Sequence, residues 1–499
     1  MPAPIDGKRN GGRPLHVAWR SADSIALALV TGVGAALRFF RLDRPGSIVF
    51  DEFYAQDACW YLYRSSATCT LPQFGGVERF TAEITPMHPP LGKWLIALGV
   101  KFLGFNPLGW RLASVLAGIV TIALLYVLTR RLLQSLLAAA AAAGLLAIDF
   151  LHFVQSRVAM LDIFNALFGV AAFLFLVYDR DELLRRTAGA ASTHGRARLW
   201  RRPWRIAAGA ASGAAVASKW PGIFILFAVI LLAVGWELRI RQGRGWTGAA
   251  RRTWGEEGLS LALWLGVLPA SIYVATYAGV LSGHVLTWPW SPDSWVAAFT
   301  ERQLFMVRWH WRDLGEHPYQ SPAWSWLLLK RPALYFFAMR DGLVREILAL
   351  GSPLVWWSSI LALGLTGVRW IRARRPVGAE EVILAGFVLT YGPWLLLASR
   401  RSHVFLYYLL PAVPFMCLAI AYAMSRIPPR RLRGLVVAGF MIPVTALFIF
   451  YYPVMTAVAL PYDGWKTRMM FTRCRDQQTE PRGVPRVQPG PPPPGYCWI

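Results

Sequence analysis

The sequence predicts an all-α polytopic membrane protein with about eleven transmembrane helices and two long loops on the extracytoplasmic side. Of its 499 residues, 56% are hydrophobic and only 16% are charged, against about 45–50% and 25% in average soluble proteins. The apolar residues form long uninterrupted runs, which a soluble core does not need. These observations exclude a soluble enzyme, a disordered regulator and a disulfide-stapled secreted module.

Eleven apolar runs approach the length of about 17–25 residues with which a helix crosses the hydrocarbon. The predicted spans are 22–40, 110–130, 133–149, 158–178, 204–219, 220–236, 257–281, 352–370, 381–398, 403–424 and 432–452. The break between the fifth and sixth runs rests on the Lys-Trp-Pro sequence at 219–221. The stretch 90–105 is shorter and contains Lys93 and Lys101, so it predicts an interfacial helix.

Lys and Arg predict the orientation, because cytoplasmic segments are enriched in both. With the N-terminus inside, the inside segments are 1–21, 131–132, 179–203, 237–256, 371–380 and 425–431, which hold the dense basic blocks. The predicted domains are a basic cytoplasmic N-terminus (1–21), a transmembrane domain (22–460, with outer loops 41–109 and 282–351) and an extracytoplasmic proline-rich tail (461–499). This placement explains the net charge of +25 without nucleic-acid binding.

Four of the five cysteines fall on the predicted outer side, and Cys417 lies within a span. An even number outside permits disulfides in an oxidising compartment. A Cys59–Cys69 loop closure and two free thiols both remain open, as does a Cys474–Cys497 pair. The cysteines lack metal-ligand spacing, so zinc is not predicted.

Two adjacent carboxylates, Asp51 and Glu52, stand between an apolar pair and two aromatic residues in the first outer loop. Such a pair can supply a general base whose pKa depends on burial and on neighbouring cations. The dipeptide alone fits a solvated acidic turn or a helix cap at least as well.

Seven further ionisable residues fall on the same predicted outer face, where charge near a membrane is costly and marks function. They are Arg38, His88, Lys93, Arg111, Arg157, Asp162 and Lys219. Singly, each can be an anchor or a structural pair: Lys93 can snorkel, and Arg111 can pair with Asp162. Together the cations suit a lipid phosphate. The set predicts a transferase that takes a group from a lipid phosphate on the outer leaflet.

The second outer loop contains His317, Tyr319 and Trp324 within a segment of aromatic and small polar residues. This composition suits sugar stacking or an interfacial aromatic belt, and composition alone favours the belt.

Six short motifs, in order along residues 22 to 460, resemble those of the protein O-mannosyltransferase family, especially its actinobacterial branch. They are Arg38…Phe50-Asp51-Glu52, His88 to Lys93, Trp110 to Ala113, Ser156 to Asp162, Ser218-Lys219-Trp220 and His317 to Trp326. The resemblance implies a GT-C glycosyltransferase fold with its active site on the outer face of the plasma membrane. It also implies transfer of mannose from polyprenyl-phosphate-mannose to Ser or Thr hydroxyls of exported proteins, with inversion at C1.

The resemblance further implies site roles. Asp51 is expected to be the general base, with Glu52 also required. Positions matching Arg38 and Arg111 are important for activity in the family. We expect Arg38, Arg111, Lys219, His88, Lys93 and Arg157 to bind the donor phosphate or headgroup, and Asp162, His317, Tyr319 and Trp324 to support the substrates.

No cofactor is expected, and a divalent metal is predicted to be dispensable, because no cluster of Asp and His beyond the Asp51-Glu52 pair demands one. Eukaryotic members carry a large β-trefoil MIR domain in the second outer loop, whereas residues 282–351 are too few to hold one. A sibling transferase for another lipid-linked sugar and, less favoured, a lipid or sugar transporter are the alternatives. Docking on the secretion translocon is left open.

The predicted topology can be measured with reporter fusions. Fusions after residue 190 or 245 should give a cytoplasmic signal, and fusions after 65, 310 or 470 an extracytoplasmic one, because of the loop charge bias. A cytoplasmic signal at 65 would place Asp51 on the wrong side and contradict the proposed site.

Overall fold

The computed structural model describes residues 18–63, 87–189, 202–243, 245–277, 292–311, 317, 319–373, 377–398 and 403–469. Cys69, Cys474, Cys497 and most of the predicted tail lie outside the described residues.

Helices occupy all eleven predicted spans within this part of the chain. They are α1 (Ser21–Phe39), α4 (Pro107–Leu133), α5 (Leu136–Ala147), α7 (Asp162–Gly189), α8 (Pro203–Ser218), α9 (Gly222–Gly243), α10 and α11 (Ala249–Ala262 and Leu268–Ala275, joined by a π-helical turn, Leu263–Val267), α13 (Pro353–Arg372), α14 (Ala379–Leu397), α15 (Val413–Ser425, after a 3₁₀ helix, Leu406–Ala412) and α16 (Arg430–Met455). The remaining helices are α2 (Tyr54–Tyr63), α3 (Leu91–Leu103), α6 (Phe150–Gln155), α12 (Pro292–Trp311), a 3₁₀ helix (Ala323–Leu328) and α17 (Tyr462–Lys466).

Nine of these described helical segments are long and apolar enough to cross a membrane, two fewer than the sequence predicts. The helix α5 has 12 residues and α8 has 16. A 12-residue helix rises about 18 Å, which is short of about 30 Å of hydrocarbon. The apolar run 133–149 ends early because Asp149 accepts a hydrogen bond from the His152 N–H (3.0 Å) and begins α6.

The predicted interfacial helix forms as α3, but much of it is buried against α4. Gly99 allows this approach, since an added Cβ would lie 2.3 Å from the Gly109 carbonyl oxygen. Lys93 does not snorkel: its side chain is 1% exposed and its Nζ lies 2.8 Å from Asp57.

A small antiparallel sheet is missing from the all-α prediction; two of its strands lie in the second predicted outer loop and the third follows the last predicted span. Its order is β1 (Ala333–Arg340), β2 (Leu343–Ala349) and β3 (Leu460–Pro461). The turn at Asp341 and Gly342 has φ of 52° and 73°, the geometry that an Asp-Gly two-residue hairpin adopts. This dipeptide signal was present in the sequence.

One end of the bundle, here called the Asp179 end, is held by buried ion pairs. Arg205 on α8 reaches Asp179 of α7 (3.3 Å), Glu257 of α10 (2.7 Å) and Glu237 of α9. Arg202 joins the same three carboxylates. Nearby, Arg131 at the end of α4 pairs with Asp181 (2.6 Å). Segments that the charge pattern places inside therefore meet at one end.

The cysteines that the structure describes differ in state. Cys59 in α2 is disulfide-bonded, whereas Cys417 in α15 is buried and free. The alternative of a free thiol at Cys59 is therefore wrong, whereas pairing with Cys69, which lies outside the described residues, stays a prediction.

Removing the shared cation should destabilise the Asp179 end. Arg205→Ala leaves buried carboxylates short of a partner, so the free energy of unfolding should fall by about 3–5 kcal/mol. Thermal unfolding of the purified protein in detergent measures this. Arg251→Ala, at an exposed position of α10, is the matched control, and equal stabilities of the two variants would contradict the structural role.

Candidate active site

The two acidic residues lie in a strained turn between α1 and α2. Phe50 has a φ of 46°, which is costly for a bulky residue and is typical of functional sites. Its ring stacks on Tyr335 at a centroid distance of 4.5 Å. The Glu52 N–H donates to the Val49 carbonyl (3.0 Å). The turn directs Asp51 and Glu52 into different surroundings.

The Glu52 carboxylate is fully buried and has hydrogen-bond partners on both oxygens. Oε1 accepts from Arg111 Nε (2.7 Å) and the Ala159 N–H (3.0 Å). Oε2 accepts from Arg111 Nη2 (2.8 Å) and the Val49 N–H (3.1 Å). A carboxylate held in this way has no lone pair directed at a substrate, so its role is to position the turn.

The Arg111 guanidinium uses all five of its N–H groups within the protein. Besides the two bonds to Glu52, Nη1 donates to the carbonyls of Leu42 (3.0 Å) and Pro45 (2.9 Å), and Nη2 donates to Ser47 (2.9 Å). Arg111 thus fixes the whole segment 42–52 to α4. Asp162, the acidic partner that the sequence suggests for Arg111, is not its partner in the structure.

Asp162 instead pairs with Lys219. The Lys219 Nζ lies 2.9 Å from Oδ1 and 2.7 Å from Oδ2 of Asp162. The same ammonium faces the rings of Tyr408 (4.7 Å to the centroid) and Tyr407 (5.6 Å). Asp162 begins α7 and Lys219 ends α8, so the two helix ends bring the pair together.

Asp51 lies in the field of this pair. Burial raises the pKa of the Asp51 carboxyl to about 7, although Lys219 lowers that pKa; Asp162 raises it slightly further. Within the described part of the chain, the Asp51 carboxylate forms neither a hydrogen bond nor an ion pair. A carboxyl with a pKa in this range can exchange a proton with a substrate near neutral pH.

Two predicted phosphate-binding arginines are engaged with helix ends. Arg157 donates to the carbonyls of Leu37, Arg38, Phe40 and Arg41 at 2.6–3.2 Å. These carbonyls belong to the last turn of α1 and the residues after it, whose oxygens lack partners within the helix.

Arg38 is fully buried beside α5 and α6. It donates to the carbonyls of Gly34 (3.1 Å) and Ala147 (3.0 Å), and its Nη2 lies 2.9 Å from His152 Nδ1. The cation thus links the end of α1 to the break between α5 and α6.

His88 and Lys93, two further predicted headgroup-binding residues, both lie against the ring of Tyr54. The His88 ring is 5.9 Å from Tyr54 and 5.3 Å from His310. His310 in turn contacts Trp220, the neighbour of Lys219, at 5.6 Å. The chain of rings connects α12 to the Asp51–Lys219 region. Lys93 is also 5.8 Å from the Tyr54 ring centroid.

The predicted substrate-supporting residues of the second loop, His317, Tyr319 and Trp324, do not all lie in the same place. The His317 ring contacts Phe405 (4.9 Å) and His403 (5.3 Å), and its Nδ1 accepts from the Tyr319 N–H (3.1 Å). Burial and His403 lower the pKa of His317 to about 4, so it is neutral at pH 7. Trp324 is 58% exposed and contacts Lys330 rather than this cluster.

Sequence reasoning missed the aromatic wall beside Asp51. Phe405, Tyr407 and Tyr335 surround Phe50, with centroid distances of 6.3, 5.9 and 4.5 Å. Tyr407 and Tyr408 also face Lys219. The sequence predicts that these consecutive tyrosines belong to an apolar span. Their part in the site is visible only from their position near Asp51 and Lys219 in the structure. Among the described residues, no group of three or more His, Cys, Asp or Glu could hold a metal ion.

Solved structures define the class of this fold. The Saccharomyces cerevisiae protein O-mannosyltransferase Pmt1–Pmt2 complex bound to the sugar donor superimposes with a TM-score of 0.70 at 15% identity, covering 91% of this chain and 93% of that one. ArnT from Cupriavidus metallidurans gives 0.51 at 19% identity, covering 87% and 65%. The fold is that of the GT-C glycosyltransferases.

Sequence comparison then identifies the family. Residues 28–279 match the dolichyl-phosphate-mannose-protein mannosyltransferase family, and residues 295–474 match the C-terminal four-transmembrane region of protein O-mannosyltransferases. The chain belongs to the protein O-mannosyltransferase family, as its motifs indicate.

Curated relatives cover nearly the whole chain. The polyprenol-phosphate-mannose–protein mannosyltransferases of Mycolicibacterium smegmatis and Mycobacterium tuberculosis are each 29% identical, with 90% of this chain and 92% of theirs aligned. That of Corynebacterium glutamicum is 27% identical, with 93% and 95% aligned.

Replacing Arg111 should reveal a positioning role. Arg111→Lys keeps the charge but loses two donors and the planar fork. The unfolding free energy should fall by about 1–3 kcal/mol for each buried acceptor left without a partner, and kcat should fall with it, whereas donor affinity should change little. Calorimetry and a donor-binding assay test this.

The control is Arg340→Lys, at an arginine side chain that is 84% exposed. If Arg111 instead held the donor phosphate, Arg111→Lys would weaken donor binding and leave stability unchanged. Because Asp162 pairs with Lys219, removing Asp162 as well should restore no activity to Arg111→Ala.

Proposed function

We propose that this chain transfers mannose from polyprenyl-phosphate-mannose to Ser or Thr hydroxyls of exported proteins. Family membership supports the donor and acceptor classes, because the relatives are named for this reaction. The observation that carries the chemistry is the half-buried Asp51 carboxyl, whose pKa desolvation raises to about 7 although the nearby Lys219 lowers it. A general base is most effective when its pKa lies near the working pH.

Asp51 acts as the general base. Its carboxylate accepts the proton of the acceptor hydroxyl while the hydroxyl oxygen forms a bond to C1 of mannose. The C1–O bond to phosphate breaks on the opposite face, so the β-linked donor gives an α-linked product. The electron pair leaves with the polyprenyl phosphate, which departs as an anion and needs no proton.

Lys219 supplies positive charge to that departing phosphate. A preorganised cation stabilises charge that develops in the transition state. Arg111, Arg157 and Arg38 direct their N–H groups to Glu52, to carbonyl oxygens or to His152. We therefore assign these three arginines to positioning rather than to phosphate binding. The aromatic wall of Tyr335 and Tyr407 suits the apolar face of a sugar.

Neither cofactor nor metal takes part in this proposal, because Asp51 provides the base and Lys219 provides charge for the leaving group. Activity that persists after purification in excess EDTA would support metal independence, and loss of activity that Mg²⁺ or Mn²⁺ restores would contradict it. The site is proposed to face outward from the plasma membrane, where exported acceptors arrive.

A sibling transferase that moves another lipid-linked sugar is the alternative, and the substrate assay distinguishes the two. Membranes containing the chain are incubated with radiolabelled polyprenyl-phosphate-mannose and a peptide rich in Ser, Thr, Pro and Ala. Label in the peptide supports protein mannosylation. Label confined to lipid or glycan would contradict it.

Asp51→Asn preserves size and removes basicity, so kcat should fall by about 10²–10⁴-fold, with donor affinity nearly unchanged. Asp341→Asn, at an exposed turn position that Asn tolerates, is the matched control. Near-normal turnover by folded Asp51→Asn protein would show that the base lies elsewhere.

The pH profile gives a second test of the same base. For the wild type, kcat/KM should rise with pH up to about 7 as Asp51 loses its proton, and then level off. Lys219 lowers that pKa, so Lys219→Met should move the rise to higher pH. Lys101→Met, at an exposed lysine, should leave it in place, and a Lys219→Met profile superimposable on the wild type would contradict the coupling.

A further inference from the structure

A basic cleft lies beside the end of α1, away from Asp51. It has a volume of about 580 Å³ and is lined by three arginines, one carboxylate and small residues. The lining residues are Arg41, Asp43, Arg44, Pro45, Gly46, Arg345 and Ala457. The three arginines are exposed, and the mechanism above uses none of their side chains.

The cleft carries uncompensated positive charge. Among the ion pairs of the described residues, only Arg44 of these three arginines has a partner, Asp43 at 3.2 Å. Arg41 and Arg345 leave an excess of two positive charges. Guanidinium groups converging on a cleft are the preferred ligands of phosphate, which they bind through paired N–H groups.

The backbone around the cleft is arranged so that it does not repel an anion. The carbonyls of Phe40 and Arg41 accept hydrogen bonds from Arg157 (2.8 and 3.1 Å). The carbonyls of Leu42 and Pro45 accept from Arg111 (3.0 and 2.9 Å). With these oxygens turned to buried arginines, the side chains of Arg41 and Arg44 line the cleft.

The cleft also lies at the ends of two helices that are long and apolar enough to cross a membrane. It joins the ends of α1 and α16, and in each of these helices only 17% of the most apolar 18-residue window is buried. Phe39 and Phe40, immediately before Arg41, are 44% and 58% exposed. Exposed apolar rings followed directly by an arginine at a helix end fit the boundary between hydrocarbon and headgroups, which long basic side chains reach.

We propose that this cleft binds the phosphate of an anionic phospholipid, whose acyl chains lie against the apolar surfaces of α1 and α16. The site is separate from the proposed donor site, because neither Asp51 nor Lys219 lines the cleft. In addition, Arg111 stands between the carbonyls of Leu42, Pro45 and Ser47 and the Glu52 carboxylate. Binding there ties the segment 42–52, and with it the turn that carries Asp51, to the surrounding lipid.

The test counts lipid molecules retained by the full-length protein in detergent, using native mass spectrometry with phosphatidylglycerol. The triple variant Arg41→Gln, Arg44→Gln, Arg345→Gln should bind it roughly 100-fold more weakly, from the usual contribution of each basic residue near an anionic headgroup. Arg340→Gln, an exposed arginine on the same hairpin, should bind like the wild type. Equal binding by the triple variant and the wild type would overturn the proposal.

Two further arms separate this site from other sources of phosphate. Inorganic phosphate at the same concentration should not displace the phospholipid, because it lacks the acyl chains; equal competition would overturn the lipid assignment. Lys219→Met should retain phosphatidylglycerol like the wild type. Loss of the lipid in Lys219→Met would place it in the donor site and likewise overturn the proposal, whatever the outcome for mannose transfer.

Discussion

The buried ion pair between Arg111 and Glu52 is the constraint on which the active site depends. Two side chains from separate elements, α4 and the turn after α1, satisfy one another, three carbonyls and one N–H group of the loop, and the N–H group of Ala159 before α7. A buried pair is favourable only when its remaining hydrogen-bonding groups are satisfied, and here they are. The pair fixes Glu52 so that its neighbour, Asp51, remains available.

This arrangement gives the two adjacent carboxylates different roles: Glu52 positions the turn, and Asp51 is left to accept a proton. Glu52 is surrounded by hydrogen-bond donors that hold its carboxylate in place. Asp51 is half-buried and forms no hydrogen bond with the described residues, and desolvation is the main cause that raises its pKa to about 7. Lys219 limits that shift while its ammonium forms an ion pair with Asp162. The difference between the neighbours is one of environment, as acid–base pairs in enzymes require.

The sequence predicts the bundle of membrane helices, the end of the bundle that holds the site, and a role for Asp51. These predictions are possible because hydropathy, and the energetic cost of placing a charge near the membrane, can be read from short stretches of the chain. It does not predict which charges pair. Arg111 and Glu52 are 59 residues apart, and Lys219 and Asp162 are 57 apart. For this reason the sequence predicts a single phosphate site made of six basic residues. In the structure, Arg157 instead bonds the carbonyls at the end of α1, and Lys93 pairs with Asp57.

The other differences between the predicted and the observed structure have both local and long-range causes. The hairpin at Asp341-Gly342 was predictable from its turn residues, whereas the early end of α5 required recognising Asp149 as a helix cap within an apolar run. The wall formed by Tyr335 and Tyr407 depends on contacts between residues distant in sequence, which periodicity cannot show.

The central claim is that Asp51 titrates near neutral pH because desolvation at its half-buried position outweighs the opposing effect of Lys219. Infrared difference spectroscopy of the purified protein, with the spectrum of Asp51→Asn subtracted, measures this directly without turnover. The account predicts that the C=O band of a protonated carboxyl, present in the wild type and absent from Asp51→Asn, disappears as the pH rises through about 7. A band that has already disappeared above the ordinary aspartate value of about 3.9 would contradict it.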